Sequence, residues 1–105
     1  SGHTVYGWAT ALLLAEVAPD RAPLILERGR DYALSRVICG YHFPTDTEAS
    51  RAVAAAILTR LHGNDSFVGD LRAAQAEYDA TPARSVKAVP SVPTSTDKPV
   101  EAQAD

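Results

Sequence analysis

The stretch SRVICGYHFPTD, Ser35 to Asp46, spaces an arginine, a histidine and an aspartate as Arg-x5-His-x3-Asp. Arg36 offers a planar, permanently charged fork suited to phosphate oxygens. His42 falls in a turn, where an imidazole nitrogen is free to face the same anion. Asp46 stands at the start of the next helix, whose dipole holds it as the carboxylate, and it is placed to accept a hydrogen bond from the second imidazole nitrogen. That contact would fix the tautomer of His42 and stabilise the cation formed when His42 attacks, the role of an orienting acid beside any nucleophile. These parts match phosphoryl transfer through a phosphohistidine.

A second set stands at residues 1 to 3. Ser1, Gly2 and His3 precede an apolar run, and backbone N–H groups at a helix start cradle phosphate while glycine permits close approach. His3 would then protonate the leaving alkoxide, a general-acid contribution worth about 10²- to 10⁴-fold. Any one of these residues alone reads more simply as a surface ion pair or a turn histidine. Taken together they do not: at roughly 5% for each residue type, Ser-Arg-x5-His-x3-Asp arises by chance in about one chain of this length in a thousand.

Four helices are expected to position these groups, with no strand-like alternation long enough to matter. Val5, Trp8, Ala9, Leu12, Leu13 and Val17 recur at helical spacing from about Thr4 to Ala18, and Pro19 ends the run. Asp20 is the expected N-cap of a second helix reaching about Gly40, with Pro23 in its first turn and an apolar stripe of Ile25, Gly29, Tyr32, Ala33 and Val37. Arg36 lies on that inward stripe. Gly40 and Pro44 stop the helix, and Thr45-x-x-Glu48 reads as a capping box for a third helix closed by Gly63-Asn64. Asn64, Asp65 or Ser66 caps a fourth, to about Ala80, with Phe67, Leu71, Ala74 and Tyr78 on its buried side.

The expected fold is therefore an all-α helical bundle over residues 1–80. Residues 81–105 are rich in proline and lack aromatics, so they are expected to form a disordered tail, unable to offset ordering entropy by burial. Trp8, Tyr6 and the run Leu12 to Leu14 carry more apolar surface than three short partner helices cover, and Trp8 and Tyr6 are expected as core anchors.

SGHTVYGWATALLLAE together with SRVICGYHFPTD resembles the C-terminal catalytic half of the bacterial class A nonspecific acid phosphatases. Their superfamily also holds type 2 phosphatidic acid phosphatases and vanadium haloperoxidases, and its motifs are KxxxxxxRP, PSGH and SRxxxxxHxxxD. The resemblance covers about residues 1 to 80. It implies an all-α, metal-independent phosphomonoesterase without a cofactor, periplasmic or secreted, broad in substrate and often dimeric. It also implies His42 as nucleophile, Asp46 as its partner, Arg36 as phosphate ligand, Ser1 and Gly2 as anion cradle and His3 as general acid. KxxxxxxRP occurs nowhere in this chain. The 105-residue chain is accordingly expected to be an incomplete piece, inactive on its own, since losing one well-placed donor costs about 10²- to 10³-fold.

Ser35 is expected to bond either phosphate or a helix carbonyl. Tyr41 and Phe43 flank His42 and either line a leaving-group pocket or pack in the core. His62 is expected at a helix C-terminus in a structural role, and Cys39 as a small buried hydrophobe.

The partners expected are small phosphomonoesters and inorganic phosphate. A net charge of −3 with both signs interspersed leaves no electrostatic footprint for nucleic acid. The longest strongly apolar window, WATALLLAEVA, is interrupted by Glu16 and falls well short of the roughly twenty residues needed to span a bilayer. A lone cysteine assembles neither a disulfide nor a Cys-based metal site. Two rival readings use the same chain: a vanadium haloperoxidase, in which the His42 position binds vanadate, and a non-catalytic helical module whose PSVPTSTDKP segment is an extended ligand.

Overall fold

The computed structural model describes residues 1–82. They form α1 (Gly2–Val17), a 3₁₀ turn (Pro19–Arg21), α2 (Ala22–Ile38), α3 (Pro44–Leu61) and α4 (Asp65–Ala80), with no strand among the described residues. The expected tail, residues 81–105, lies outside the described residues apart from Thr81 and Pro82.

α1 is the centre of the bundle and packs on α2, α3 and α4 in turn. It begins where Ser1 Oγ accepts the Thr4 N–H at 3.2 Å, satisfying one of the donors that a helix start leaves orphaned. α1 and α2 approach closely because Gly29 has no side chain: a Cβ there would stand 2.7 Å from the Ala11 Cβ and 3.0 Å from the Trp8 ring. Trp8 anchors the junction, with the Arg30 guanidinium of α2 at 5.8 Å from its ring centroid and that of Arg51 from α3 at 5.3 Å.

The second helix departs from the expected start. Pro19 tightens the chain into the 3₁₀ turn, so the residue preceding α2 is Arg21, without a side-chain cap bond. Asp20 instead accepts from the Tyr78 hydroxyl at 3.1 Å. With Gln75 Nε2 donating to the Glu16 carbonyl at 2.9 Å, this fastens α4 to the C-terminal end of α1. α4 begins at Asn64, whose Oδ1 accepts the Phe67 N–H at 3.0 Å, one of the expected caps.

α2 ends at a Schellman cap. Gly40 takes φ +78°, the left-handed region glycine enters without steric cost. The Gly40 N–H then reaches the Val37 carbonyl at 2.9 Å and the Tyr41 N–H the Arg36 carbonyl at 3.2 Å. α3 starts two residues earlier than the expected capping box, with Phe43 and not Thr45 preceding it, because Pro44 occupies the first turn, where its missing N–H costs nothing. Thr45 is thus inside the helix.

The apolar core is small: Ala11, Ala18, Ala33, Ala54 and Leu58 are its buried members. Of the surplus expected on α1, Tyr6 and Leu14 are exposed whereas Trp8, Leu12 and Leu13 are half-buried; Leu24, Leu34, Ile38, Val53 and Ile57 of the other helices are exposed as well. Two expectations of burial fail. Tyr6 is 74% exposed, in an open groove between α1 and α2 that Leu14, Ile25 and Tyr32 also line, and Cys39 is exposed at the end of α2.

Candidate active site

Arg36 and His42 are brought together by the cap that ends α2. The Arg36 carbonyl accepts two N–H groups, from Tyr41 and from His42, each at 3.2 Å. The left-handed Gly40 therefore folds the turn back so that the His42 backbone returns to the Arg36 carbonyl. His3, on the first turn of α1, completes the cluster: His3, Arg36, Tyr41 and His42 line one cleft of about 350 Å³. A second cleft of about 580 Å³ shares His42 and adds Ser1, Gly2, Asp46 and Ser50. His42 stands between the two.

The Arg36 Nε is buried with no hydrogen-bond partner. An unpaired buried donor of this kind is costly unless a ligand satisfies it. The Tyr41 ring packs over the guanidinium, 5.4 Å from centroid to Cζ, while being 75% exposed. Tyr41 thus belongs to the cleft wall and not to the core. Phe43 is equally exposed and lies outside the lining of either cleft, because its backbone turns into α3 at that point.

Asp46 is at the expected helix start, yet its carboxylate has a different first partner. Oδ2 accepts the Phe43 N–H at 3.0 Å, closing the first turn of α3 as an acidic N3 residue does. His42 Nδ1 lies 3.7 Å from the same oxygen, within ion-pair range and beyond a hydrogen bond. The expected imidazole-to-carboxylate bond is therefore an approach and not a closed bond. Since Nδ1 faces Asp46, Nε2 is the nitrogen left for a substrate.

Ser1 spends its hydroxyl capping Thr4, and the Val5 N–H reaches the Ser1 carbonyl at 3.0 Å. The Gly2 and His3 N–H groups have no acceptor among the described residues, and a Cβ at Gly2 would meet nothing within 4 Å. The start of α1 thus presents free donors toward open space. Ser35 takes the second of its two expected partners: its Oγ donates to the Tyr32 carbonyl at 2.6 Å.

Two features escaped the sequence reading. His62 was expected to sit at a helix end, and it does; its Nε2 also reaches the Glu16 carboxylate at 2.9 Å, while Nδ1 lies 2.6 Å from the Leu58 carbonyl. The Leu58 carbonyl raises the His62 pKa above its ordinary value, burial works against it, and the Glu16 charge adds to the rise. The other is Ser50, one turn beyond Asp46 on α3 and buried at 5% exposure. The i, i+4 spacing from Asp46 was the only signal available.

A family model described as the PAP2 superfamily matches residues 1–65. The chain belongs to the PAP2 superfamily. It is 46% identical over 78 residues to a non-specific acid phosphatase of Providencia stuartii, covering 74% of this chain and 32% of that protein. It is 42% identical over 79 residues to an acid phosphatase of Zymomonas mobilis subsp. mobilis, covering 75% and 30%. Against a non-specific acid phosphatase of Salmonella typhimurium the figures are 42% over 79 residues, 75% and 32%. This PAP2 chain therefore spans about a third of the length of the curated relatives it matches. Among the described residues, no helix is long and apolar enough to cross a membrane.

Proposed function

We propose that this PAP2 chain is the His3, Arg36 and His42 portion of a broad-specificity acid phosphatase that hydrolyses phosphate monoesters through a phosphohistidine. The observation that carries the reading is the shared cleft of His3, Arg36, Tyr41 and His42. The relatives named acid phosphatase support the reaction class.

In this reading the substrate's phosphate lies on Arg36 and on the Gly2 and His3 N–H groups, with Ser1 setting the direction of the helix start. The Nε2 of neutral His42 attacks phosphorus in line, forming an N–P bond as the P–O bond to the leaving group breaks. Asp46 moves in on Nδ1–H and stabilises the developing imidazolium charge. Protonated His3 gives its proton to the leaving oxygen. Water then attacks phosphorus, neutral His3 takes the water proton, and the N–P bond breaks to release inorganic phosphate and restore His42. Tyr41 walls the leaving-group side.

Residues 1–80 are read as part of a larger catalytic domain. Among the described residues, Arg36 is the only arginine or lysine lining the cleft, so the charge stabilisation that phosphoryl transfer demands calls for further cations from elsewhere in the intact protein. The isolated 105-residue chain should have little or no turnover. The family's periplasmic or secreted location is extended to the intact protein as part of this proposal.

The deciding experiment is His42→Ala in the intact protein, with labelled phosphomonoester quenched in alkaline detergent. Wild type should yield a protein-bound phosphate that is acid-labile and base-stable, and the variant none. Retained hydrolysis by the variant sinks the nucleophile assignment. Vanadate separates the peroxidase reading, since it inhibits a phosphatase and activates a haloperoxidase.

A further inference from the structure

The proposed reaction needs His3 on α1 and the His42–Asp46 pair on the turn into α3 to hold a fixed separation, although these belong to different elements. One buried hydroxyl joins them. The Ser1 nitrogen donates to Ser50 Oγ at 2.8 Å, and the same Ser50 Oγ donates to the Asp46 carbonyl at 2.7 Å. The second bond is the common local one a helical serine makes to the preceding turn. The first crosses between helices and ties residues 49 apart in sequence. In this chain the donor is the terminal ammonium; in peptide linkage the Ser1 nitrogen keeps one N–H, and the proposal below assigns that N–H to Ser50.

We propose that Ser50 is a positioning residue that sets where the proton donor His3 stands relative to His42. It touches no reacting atom, and the inference rests on the phosphatase reading above. Ser1 caps the helix through the Thr4 N–H and receives the Val5 N–H, so fixing its nitrogen fixes the first turn on which His3 rides. At the other end, Asp46 is held both at its carbonyl, by Ser50, and at its carboxylate, by the Phe43 N–H. The chain Ser1, Ser50, Asp46 thus runs along the wall of the cleft that contains His42. Ser50 is 5% exposed, so water does not readily replace the hydroxyl once it is lost.

A displaced proton donor has a kinetic signature that general loosening lacks. Poor leaving groups need the acid, whereas p-nitrophenolate leaves without it. Ser50→Ala in the intact protein should lower kcat for a simple alkyl phosphate about tenfold, a fraction of a general acid's worth, and lower kcat for p-nitrophenyl phosphate less than about twofold. Amide exchange at Thr4 and Val5 should quicken in the same variant, and this second readout applies to the 105-residue chain as well. Alanine suits a helix interior, so the variant retains α3. Equal losses on the two esters, or no loss on either, overturn the positioning role, as does unchanged exchange at Thr4 and Val5. Wild-type protein inert toward both esters while exchange still responds to Ser50→Ala would instead refute the phosphatase reading, and the positioning role with it, leaving a purely structural tether.

Discussion

His42 Nδ1 stands 3.7 Å from Asp46 Oδ2, and that oxygen already holds the Phe43 N–H at 3.0 Å. One carboxylate therefore serves as helix cap and as the acid beside the proposed nucleophile. The two duties separate by substitution. Asp46→Asn retains an acceptor for Phe43 and removes the charge that a cationic His42 would need. It should leave stability nearly unchanged while kcat of the intact protein falls by about 10²- to 10⁴-fold. Asp46→Ala removes both, and urea denaturation should show an added loss of about 0.5–1 kcal/mol from the helix start.

His62 gives the fold a pH dependence of its own. Its pKa is raised in the folded chain, first by the Leu58 carbonyl and then by Glu16, against an opposing effect of burial. A raised folded value means that the folded state holds the proton more tightly than the unfolded one. The stabilisation is complete below the ordinary value of 6.5 and is lost as pH climbs through the raised value. The Tm advantage of wild type over His62→Gln should be largest in mild acid and shrink steadily above neutrality. An advantage that grows with pH would contradict the assignment.

Local chemistry was legible in the chain; long-range burial was not. Ser1, Gly40 and Asn64 could be read as helix ends because a cap is decided within a few residues of itself. Asp20 and Thr45 misled because a neighbouring proline moved each boundary, into a 3₁₀ turn at Pro19 and to an earlier start at Pro44. The site followed the same rule: Arg36 and His42 share one helix cap, so their spacing already encoded their meeting. Tyr6, Cys39 and Phe43 were harder, since exposure depends on what packs there from elsewhere. The His62–Glu16 pair joins residues 46 apart, and nothing in either neighbourhood announces the other.

Gly40 couples stability to the site. Its φ of +78° returns the turn so that the Tyr41 and His42 amides both reach the Arg36 carbonyl. A Cβ at Gly40 meets no neighbour within 4 Å, so the penalty for Gly40→Ala is conformational and not steric crowding. It should cost about 1–2 kcal/mol, read by thermal or urea unfolding. In the intact protein kcat should fall with it, since a misplacement of about 1 Å at the reacting groups costs on the order of 10²-fold. Full activity in a destabilised Gly40→Ala protein would show that the cap does not place His42.

Arg36 discriminates a phosphate fork from a simple positive charge. Its Nε is buried and unpartnered, its carbonyl carries the turn that holds His42, and its guanidinium lies beneath the Tyr41 ring. Arg36→Lys preserves the charge and leaves the carbonyl bonds of the cap intact. It loses the planar, multidentate donor set, the stacking on Tyr41 and the buried Nε. If Arg36 only balanced charge, lysine would support nearly normal turnover. If it grips the transferring phosphoryl group, kcat/KM of the intact protein should drop by about 10²- to 10³-fold, and inhibition by inorganic phosphate should weaken in parallel. Circular dichroism of the variant should stay that of the parent, because the backbone cap does not depend on the side chain.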